Sequence, residues 1–434
     1  MSAEAGPIKL IIEKLVYGGD GLARLPADEH GRGKAAFLPF VLPGEEVEAE
    51  LIEQKPGFAR ARADKILQPS PQRIEPQCPY FGTCGGCHYQ QTGYPHQLEI
   101  KAAILKENLR RIAKLELETE LQIHPSPPWN YRNRARLRVR TAPEFALGFY
   151  KFGSHELLPV EQCPISSPLI NRAMASLWQA GQAGEVPGEV EEVELFANAE
   201  DDQLLAEIYC SADVPQKAAE ELAGKLRTVL SAVGVVVFRT ALGTAEPKRL
   251  GLSGVTELTY NLAGRSCRVS AGAFFQVNRH LLGELVTIAT AGLSGGLALD
   301  LYAGGGLFTT VLAGSFAQVV AVESSQTSHA DLLYNAPANV KAVRATVEPW
   351  MGNAGKLSPD FVLADPPRGG LGEKVVRGLA AMQPPRLAYV SCDPATLARD
   401  LSGLIKAGYR VEQAHLVDLF PQTYHLESVF HLAR

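Results

Sequence analysis

Two short segments carry the residues best suited to covalent chemistry. Cys392 stands in Ser391-Cys392-Asp393-Pro394-Ala395-Thr396-Leu397, just past an apolar run, and Asp365-Pro366-Pro367-Arg368 closes the earlier run Phe361-Val362-Leu363-Ala364. In an open α/β sheet, residues just beyond the carboxyl ends of strands line the ligand crevice, so a thiol and a carboxylate delivered this way meet over one substrate. Cys392 is therefore read as a nucleophile, against the alternative of a half-buried structural cysteine on a turn leading into a helix. The prolines after Asp365 restrict the backbone and hold the carboxylate against a planar base or an amino group; a plain Asp-Pro turn is the simpler reading. Glu427, in His425-Leu426-Glu427-Ser428-Val429, precedes the last apolar run and is the candidate base. A free glutamate titrates near about 4.3, so burial would improve it for proton abstraction, whereas an exposed rim position would leave it inert. His425 reads as a residue that shapes the turn.

The cofactor signal lies upstream of this pair. Asp300-Leu301-Tyr302-Ala303-Gly304-Gly305-Gly306 ends the first strand of the same sheet, where glycines let a ligand approach the backbone. Glu323 closes Val320-Ala321-Val322 and is placed to accept hydrogen bonds from two ribose hydroxyls. The glycines lack the full G-x-G-x-x-G spacing of a dehydrogenase, and an acid leading into the loop favours S-adenosylmethionine. A thiol, a base and a methyl donor suit carbon 5 of uracil, which becomes nucleophilic only after something adds to carbon 6. The Cys392 thiolate would add there, carbon 5 would take the methyl group, and the base would remove the carbon-5 proton before the cysteine leaves.

Two further clusters stand outside this site. Cys78, Cys84 and Cys87, with Cys163 later in the chain, offer four thiolates for an iron–sulfur centre or zinc, and Gly85 and Gly86 let the backbone wrap around a bulky group. Cys210 and Cys267 read as core residues. Arg132, Arg134, Arg136, Arg138 and Arg140 alternate, so in a strand they share one face that could track phosphates. Residues 185–202 carry eight acidic side chains and no basic one, so pairing of the arginines with that stretch is the competing reading.

The elements that must position these residues divide into three. Residues 1–69 read as short strands of a small OB-like β barrel, broken at Gly18-Gly19-Asp20-Gly21 and Pro43-Gly44. Residues 70–265 read as a mainly-β central domain holding the cysteine-ligated cluster, with helices near 94–114 and 216–230. Residues 266–434 alternate strands and helices, the pattern of a Rossmann-like α/β domain, with strands near 297–301, 319–322, 340–343, 361–364, 387–390, 411–417 and 428–432. The last two lack an intervening helix, which predicts a terminal antiparallel pair. With 46% hydrophobic and 21% charged residues the composition is globular, and no run approaches the roughly 18 to 20 apolar residues of a membrane span. The absence of a leader-like start points to the cytoplasm. A net charge of −5 gives no global sign of nucleic-acid binding, so that role rests on local patches.

Together, Gly18 to Arg24, Leu42 to Glu45, Cys78 to Gln90, Tyr131-Arg132-Asn133, Phe274 to Asn278, Asp300 to Gly306, Asp365 to Arg368, Ser391 to Asp400 and His425 to Glu427 resemble the bacterial RNA uracil-5-methyltransferases that carry a TRAM domain and an iron–sulfur cluster. The resemblance covers nearly the whole chain. It implies an RNA-binding barrel, a [4Fe–4S] centre on the four cysteines, and S-adenosylmethionine contacted by Gln276, Tyr302, Glu323 and Asp365 beside the Gly304 loop. Cys392 matches the nucleophile and Glu427 the base. Gln276 carries no signal of its own. Leu307 stands where relatives often have asparagine, and Thr346 where an acid or asparagine is common, which implies weakened cofactor binding. The implied partner is structured RNA, ribosomal rather than transfer RNA, with no membrane and no obligate protein partner. The competing readings are a noncatalytic RNA-binding or assembly protein on the same fold, a transfer-RNA uracil-5 enzyme, and an RNA cytosine-5 methyltransferase.

Overall fold

Alternation of small apolar and polar residues over Glu46–Gln54 and Phe58–Gln68 puts Val47, Ala49, Ala59 and Ala61 on one buried face. The computed structural model, which describes residues 7–27, 33–211, 214–240, 247–262, 264–354 and 357–434, pairs these two strands antiparallel within a six-stranded sheet. The strand Ile8–Ile11 at one edge also lies against Gly21–Arg24 near the other, so the sheet curls toward a barrel. Glu45 fastens the barrel to the segment beginning at Ser70. That carboxylate is fully buried and accepts hydrogen bonds from Leu42 N at 2.8 Å, Ser70 N at 3.2 Å and Arg73 Nε at 2.5 Å.

The central sheet has seven strands, in the order Leu157–Pro159, Ala146–Tyr150, Arg134–Arg140, Val190–Ala197, Leu204–Cys210, Gly234–Arg239 and Lys248–Gly254. The expected helix is Gln216–Leu230, and a second, Pro168–Gln182, packs into the same core. Its start has a local cause: Ser167 Oγ accepts from Ile170 N at 3.4 Å and Pro168 opens the first turn.

All seven strands expected in the C-terminal region are present. Their order is Val340–Arg344, Phe316–Glu323, Gly295–Leu301, Phe361–Ala364, Arg386–Ser391, Glu427–Ala433 and Arg410–Val417; the first five are parallel and the last two form the expected antiparallel pair. An eighth strand, Leu121–His124, adds parallel to Arg410–Val417, although it lies in the stretch assigned to the central domain. Four residues with one buried side chain give no periodicity to read. The connections run outward in both directions from Gly295–Leu301 and Phe361–Ala364, so a crevice opens at their carboxyl ends. Among the described residues no helix is long and apolar enough to cross a membrane.

The helix Tyr94–Asn108, continued by one π-helical turn over Leu109–Ala113, joins the core of this sheet through Ile104, Leu105 and Leu109, beside Leu397 and Leu401. Lys101 on this helix is fully buried and donates to Asp418 Oδ1 at 2.6 Å and to the Phe420 carbonyl at 2.9 Å. Removing one member of such a pair strands the other charge. Lys101→Met is expected to destabilise the protein by about 3–5 kcal/mol in chemical unfolding, and Lys101→Met with Asp418→Leu to recover most of that loss. A single variant as stable as wild type would show that the pair holds nothing in place.

Candidate active site

The carboxyl ends of the parallel strands surround one cavity of about 1190 Å³. Cys392 enters it one residue past Arg386–Ser391, at the start of the helix Pro394–Lys406. Asp393 fixes that turn: its Oδ1 accepts from Ala395 N at 3.0 Å and Thr396 N at 2.8 Å, and Pro394 opens the helix. In the antiparallel pairing Ser391 faces Ser428, so Cys392 and Glu427 are the next residues out on the two strands. Asp365 and Arg368 reach the same cavity from the end of Phe361–Ala364.

Burial dominates the electrostatics. It pushes the Cys392 thiol up to about 12, helped by the Glu427 and Asp365 carboxyls and opposed by the Arg368 guanidinium. A helix start ordinarily favours thiolate, but here the low-dielectric surroundings and three acids outweigh it. Burial, then Asp365, holds Glu427 well above the usual carboxylate range. Its side chain is 2% exposed, and its Oε1 meets no hydrogen-bond partner among the described residues. Asp365 is raised to about 7 by burial and by Asp300, which burial also raises to about 7. Thr309 Oγ1 donates to Asp300 Oδ2.

The cofactor-type residues share this cavity. Gln276, Tyr302, Gly304 and Glu323 all line it, as do Leu307 and Thr346. Glu323 accepts from Gly304 N at 2.8 Å and Ser325 N at 2.6 Å, which aims its carboxylate beside the glycine loop. Gly304 has φ of 56°, and a Cβ there would meet no atom within 4 Å, so the residue answers a left-handed backbone facing open space.

The arginine face is largely a different device. Arg134, Arg136, Arg138 and Arg140 do share one side of Arg134–Arg140, but Val190–Ala197 is its neighbour and sets Glu192 opposite Arg138 and Glu194 opposite Arg136. Arg134 bonds Glu194, and Glu207 at 2.9 Å; Arg136 and Arg138 both pair with Glu192. These three arginines thus show the competing arrangement, pairing with Glu192 and Glu194 of the acidic stretch and with Glu207 on the strand beyond it. Arg134 instead donates to the Ala273 carbonyl at 2.5 Å and, with Glu207 bonding Gly272 N at 3.0 Å, holds the loop that delivers Gln276. Arg132 turns into the cavity, and Arg140 is exposed.

Arg132 and the aromatic-flanked His425, expected as a phosphate contact and a turn residue, both line the cavity, and so does Phe274, which residue chemistry had not singled out. Phe274 is 69% exposed while Phe275 is 7% exposed. An adjacent aromatic pair in an extended segment forces one ring outward, which was the available signal.

Cys78, Cys84 and Cys87 from one loop and Cys163 from another come together around a second cavity of about 170 Å³. Burial raises the thiols of Cys78, Cys84 and Cys87, and Cys163 adds to each, which places the four within electrostatic reach. Among the described residues no group of three or more His, Cys, Asp or Glu side chains is arranged for a single metal ion.

A sheet with this switch point, carrying an acid-anchored glycine loop and a second-strand glutamate over one crevice, defines a methyltransferase-type α/β domain. The comparisons narrow the class. The tRNA (uracil-5-)-methyltransferase family model matches residues 93–351 and 353–434, and the TRAM domain model matches residues 8–63; the chain belongs to this family. It is 32% identical to the 23S rRNA (uracil(1939)-C(5))-methyltransferase RlmD of Alkalilimnicola ehrlichii, covering 98% of this chain and 96% of that one. It is 34% identical to the protein of the same name from Salmonella paratyphi A, over 95% and 92% of the two chains. The crystal structure of Pyrococcus abyssi tRNA (uracil-54, C5)-methyltransferase with S-adenosyl-L-homocysteine superposes with a TM-score of 0.76 at 22% identity, over 98% and 99% of the chains, and so shares the fold.

The raised thiol has a measurable consequence. Thiolate is the reactive form, so a pKa near 12 leaves it scarce at neutral pH and increases it about tenfold per pH unit. Alkylation of Cys392 by iodoacetamide, followed by peptide mass spectrometry without RNA, is expected to accelerate steadily from pH 7 to 10. A plateau below pH 9 would mean that burial, with the acids around the thiol, does not hold it up.

Proposed function

We propose that this protein methylates carbon 5 of a uracil in large-subunit ribosomal RNA, using S-adenosylmethionine and a covalent Cys392 adduct. The observation that carries the reading is the placement of Cys392 and Glu427 on facing strands, over the cavity that also holds the cofactor-type residues. Full-length relatives named as 23S rRNA methyltransferases support the ribosomal substrate.

S-adenosylmethionine, when bound, supplies an electrophilic methyl group; Gln276, Tyr302, Gly304, Glu323 and Asp365 are the residues proposed to hold it. The open loop at Gly304 and the amide-anchored Glu323 suit a nucleoside. The Cys392 sulfur adds to uracil carbon 6 as the thiolate, and the electron pair of the 5,6 double bond moves toward the ring carbonyl. Arg368 favours the thiolate over the thiol at this step. Carbon 5 then takes the methyl group with its electron pair as the bond from that methyl to the sulfonium sulfur breaks, which leaves a neutral thioether. The Glu427 carboxylate takes the carbon-5 proton, the double bond re-forms, and the carbon–sulfur bond breaks. Burial makes Glu427 a strong base, because its proton is held more tightly than that of a free carboxyl. The target base must leave its stack to reach this depth, and Phe274 offers an exposed ring at the mouth for RNA bases. Arg132, Arg140 and the TRAM barrel are proposed to grip the surrounding RNA.

The four thiols are proposed to hold a [4Fe–4S] cluster. Soft donors around a cavity of about 170 Å³ fit a bulky centre better than one ion. Such a cluster cross-links the loops at Cys78–Cys87 and Cys163 and absorbs visible light.

Ribosomal and transfer RNA from cells lacking the protein, complemented with wild type or Cys392→Ala, would be compared for 5-methyluridine by mass spectrometry. Restoration in large-subunit RNA by wild type alone is expected; restoration in transfer RNA instead would move the substrate, and rescue by Cys392→Ala would remove the adduct. With natural RNA, Glu427→Gln is expected to slow turnover by about 10²–10⁴-fold and to accumulate the covalent complex on denaturing gels. Anaerobically purified wild type should be coloured and contain iron, and Cys87→Ser should lose both; a colourless protein carrying zinc would refute the cluster.

A further inference from the structure

Tyr17 lies in the turn Val16-Tyr17-Gly18-Gly19-Asp20 between two barrel strands, a turn closed by Val16 N donating to Asp20 O at 2.9 Å. Its side chain leaves the barrel. The hydroxyl donates to the main-chain carbonyl of Cys392 at 3.0 Å, across 375 positions of sequence. The ring meets Tyr424 edge-on with centroids 5.4 Å apart, and Tyr424 packs on the cavity residue His425 at 4.1 Å. The turn is seated too. A Cβ on Gly19 would come within 3.1 Å of the His88 ring, so the backbone lies directly on the segment after Cys87.

The Cys392 carbonyl belongs to the peptide joining the thiol-bearing residue to Asp393, the helix cap. Ser391 is held on one side by its pairing with Ser428, so restraining that peptide on the other side restrains the direction in which the Cys392 Cβ leaves the backbone. Burial, then Asp393 and Cys392, keeps the Tyr17 phenol protonated well above its ordinary range, so it remains a donor. We propose that Tyr17 is a positioning residue for methyl transfer: by holding the Cys392 carbonyl, the barrel sets the line of approach of the thiol, in addition to any grip on RNA. The inference rests on Cys392 being the nucleophile. Misplacement of a reacting atom by about 1 Å can cost on the order of 100-fold in rate, and loss of one such restraint should cost part of that.

The test uses the full-length protein as wild type, Tyr17→Phe and Lys14→Ala. The last breaks a neighbouring barrel-to-helix ion pair, Lys14 with Glu107, without touching the tyrosine. Single-turnover methyl transfer at saturating RNA and S-adenosylmethionine is compared with RNA affinity, thermal unfolding and Cys392 alkylation without RNA. For Tyr17→Phe the single-turnover rate is expected to fall about tenfold, with RNA affinity within about twofold and an altered alkylation rate. Lys14→Ala should stay within about twofold of wild type in single-turnover rate at saturating RNA and in alkylation rate. An unchanged single-turnover rate in Tyr17→Phe, a loss confined to RNA affinity, or an equal loss in Lys14→Ala would overturn the proposal, because each reduces the contact to domain attachment. Should Tyr17→Phe fail to fold, Tyr424→Leu removes the partner ring; wild-type single-turnover and alkylation rates in that variant would equally overturn it. Methyl transfer by Cys392→Ala would instead sink the nucleophile reading, a result separable from all of these.

Discussion

The antiparallel register between Arg386–Ser391 and Glu427–Ala433 is the constraint on which the site depends. Ser391 faces Ser428, so the thiol and the carboxyl leave adjacent strands at the same height. A slip of one residue would turn every side chain of the last strand to the other face of the sheet. That strand is buried almost throughout, and Phe430 and Leu432 belong to one core while Val429 belongs to the other. Two cores therefore lock the register that the chemistry needs. Burial there raises the Cys392 thiol and the Glu427, Asp365 and Asp300 carboxyls together, so each favours its neutral form.

Behind Glu427 the chain is held from several directions at Gln422. Its carbonyl accepts from both His88 N at 2.8 Å and Tyr89 N at 3.0 Å, its backbone takes a φ of 68°, its side-chain Oε1 accepts from Gln97 Nε2 at 2.9 Å, and its backbone N donates to Gln97 Oε1 at 3.0 Å. Lys101 reaches Phe420 two residues earlier. The cysteine-bearing segment, the helix after it and the loop that leads to Glu427 are thus one hydrogen-bonded unit, although 325 positions separate Gln97 from Gln422.

The convergence of the candidate site residues on one cavity was legible because each of them sits immediately after a strong local signal. Phe361–Ala364 and Arg386–Ser391 are short, apolar and bounded by turn residues, and Asp365 and Cys392 come directly after them. Glu323 and the glycine loop obey the same rule. Residues whose roles depend on partners far away in sequence were not legible. Arg134 looks like its neighbours on the strand, and only the placement of Glu194, Glu207 and Ala273 turns it into a loop anchor. Gln276 has no local chemistry, and Tyr17 sits in an ordinary glycine turn. The helix Pro168–Gln182 is masked by the strand-like runs around it, and Leu121–His124 is a strand through its pairing, not its composition.

That short edge strand has a topological consequence. The chain lays down the rim of the catalytic sheet, departs to build the whole seven-strand layer, and returns to complete the interior. The middle layer is therefore an insertion between two parts of one sheet, not a bead on a string. A fragment beginning near residue 266 would leave Arg410–Val417 with an unpaired edge and would lack the buried helix Tyr94–Asn108. Such an edge invites pairing between molecules. Heredity is constrained likewise: the catalytic layer can be exchanged between relatives only together with residues from about 94 to 124.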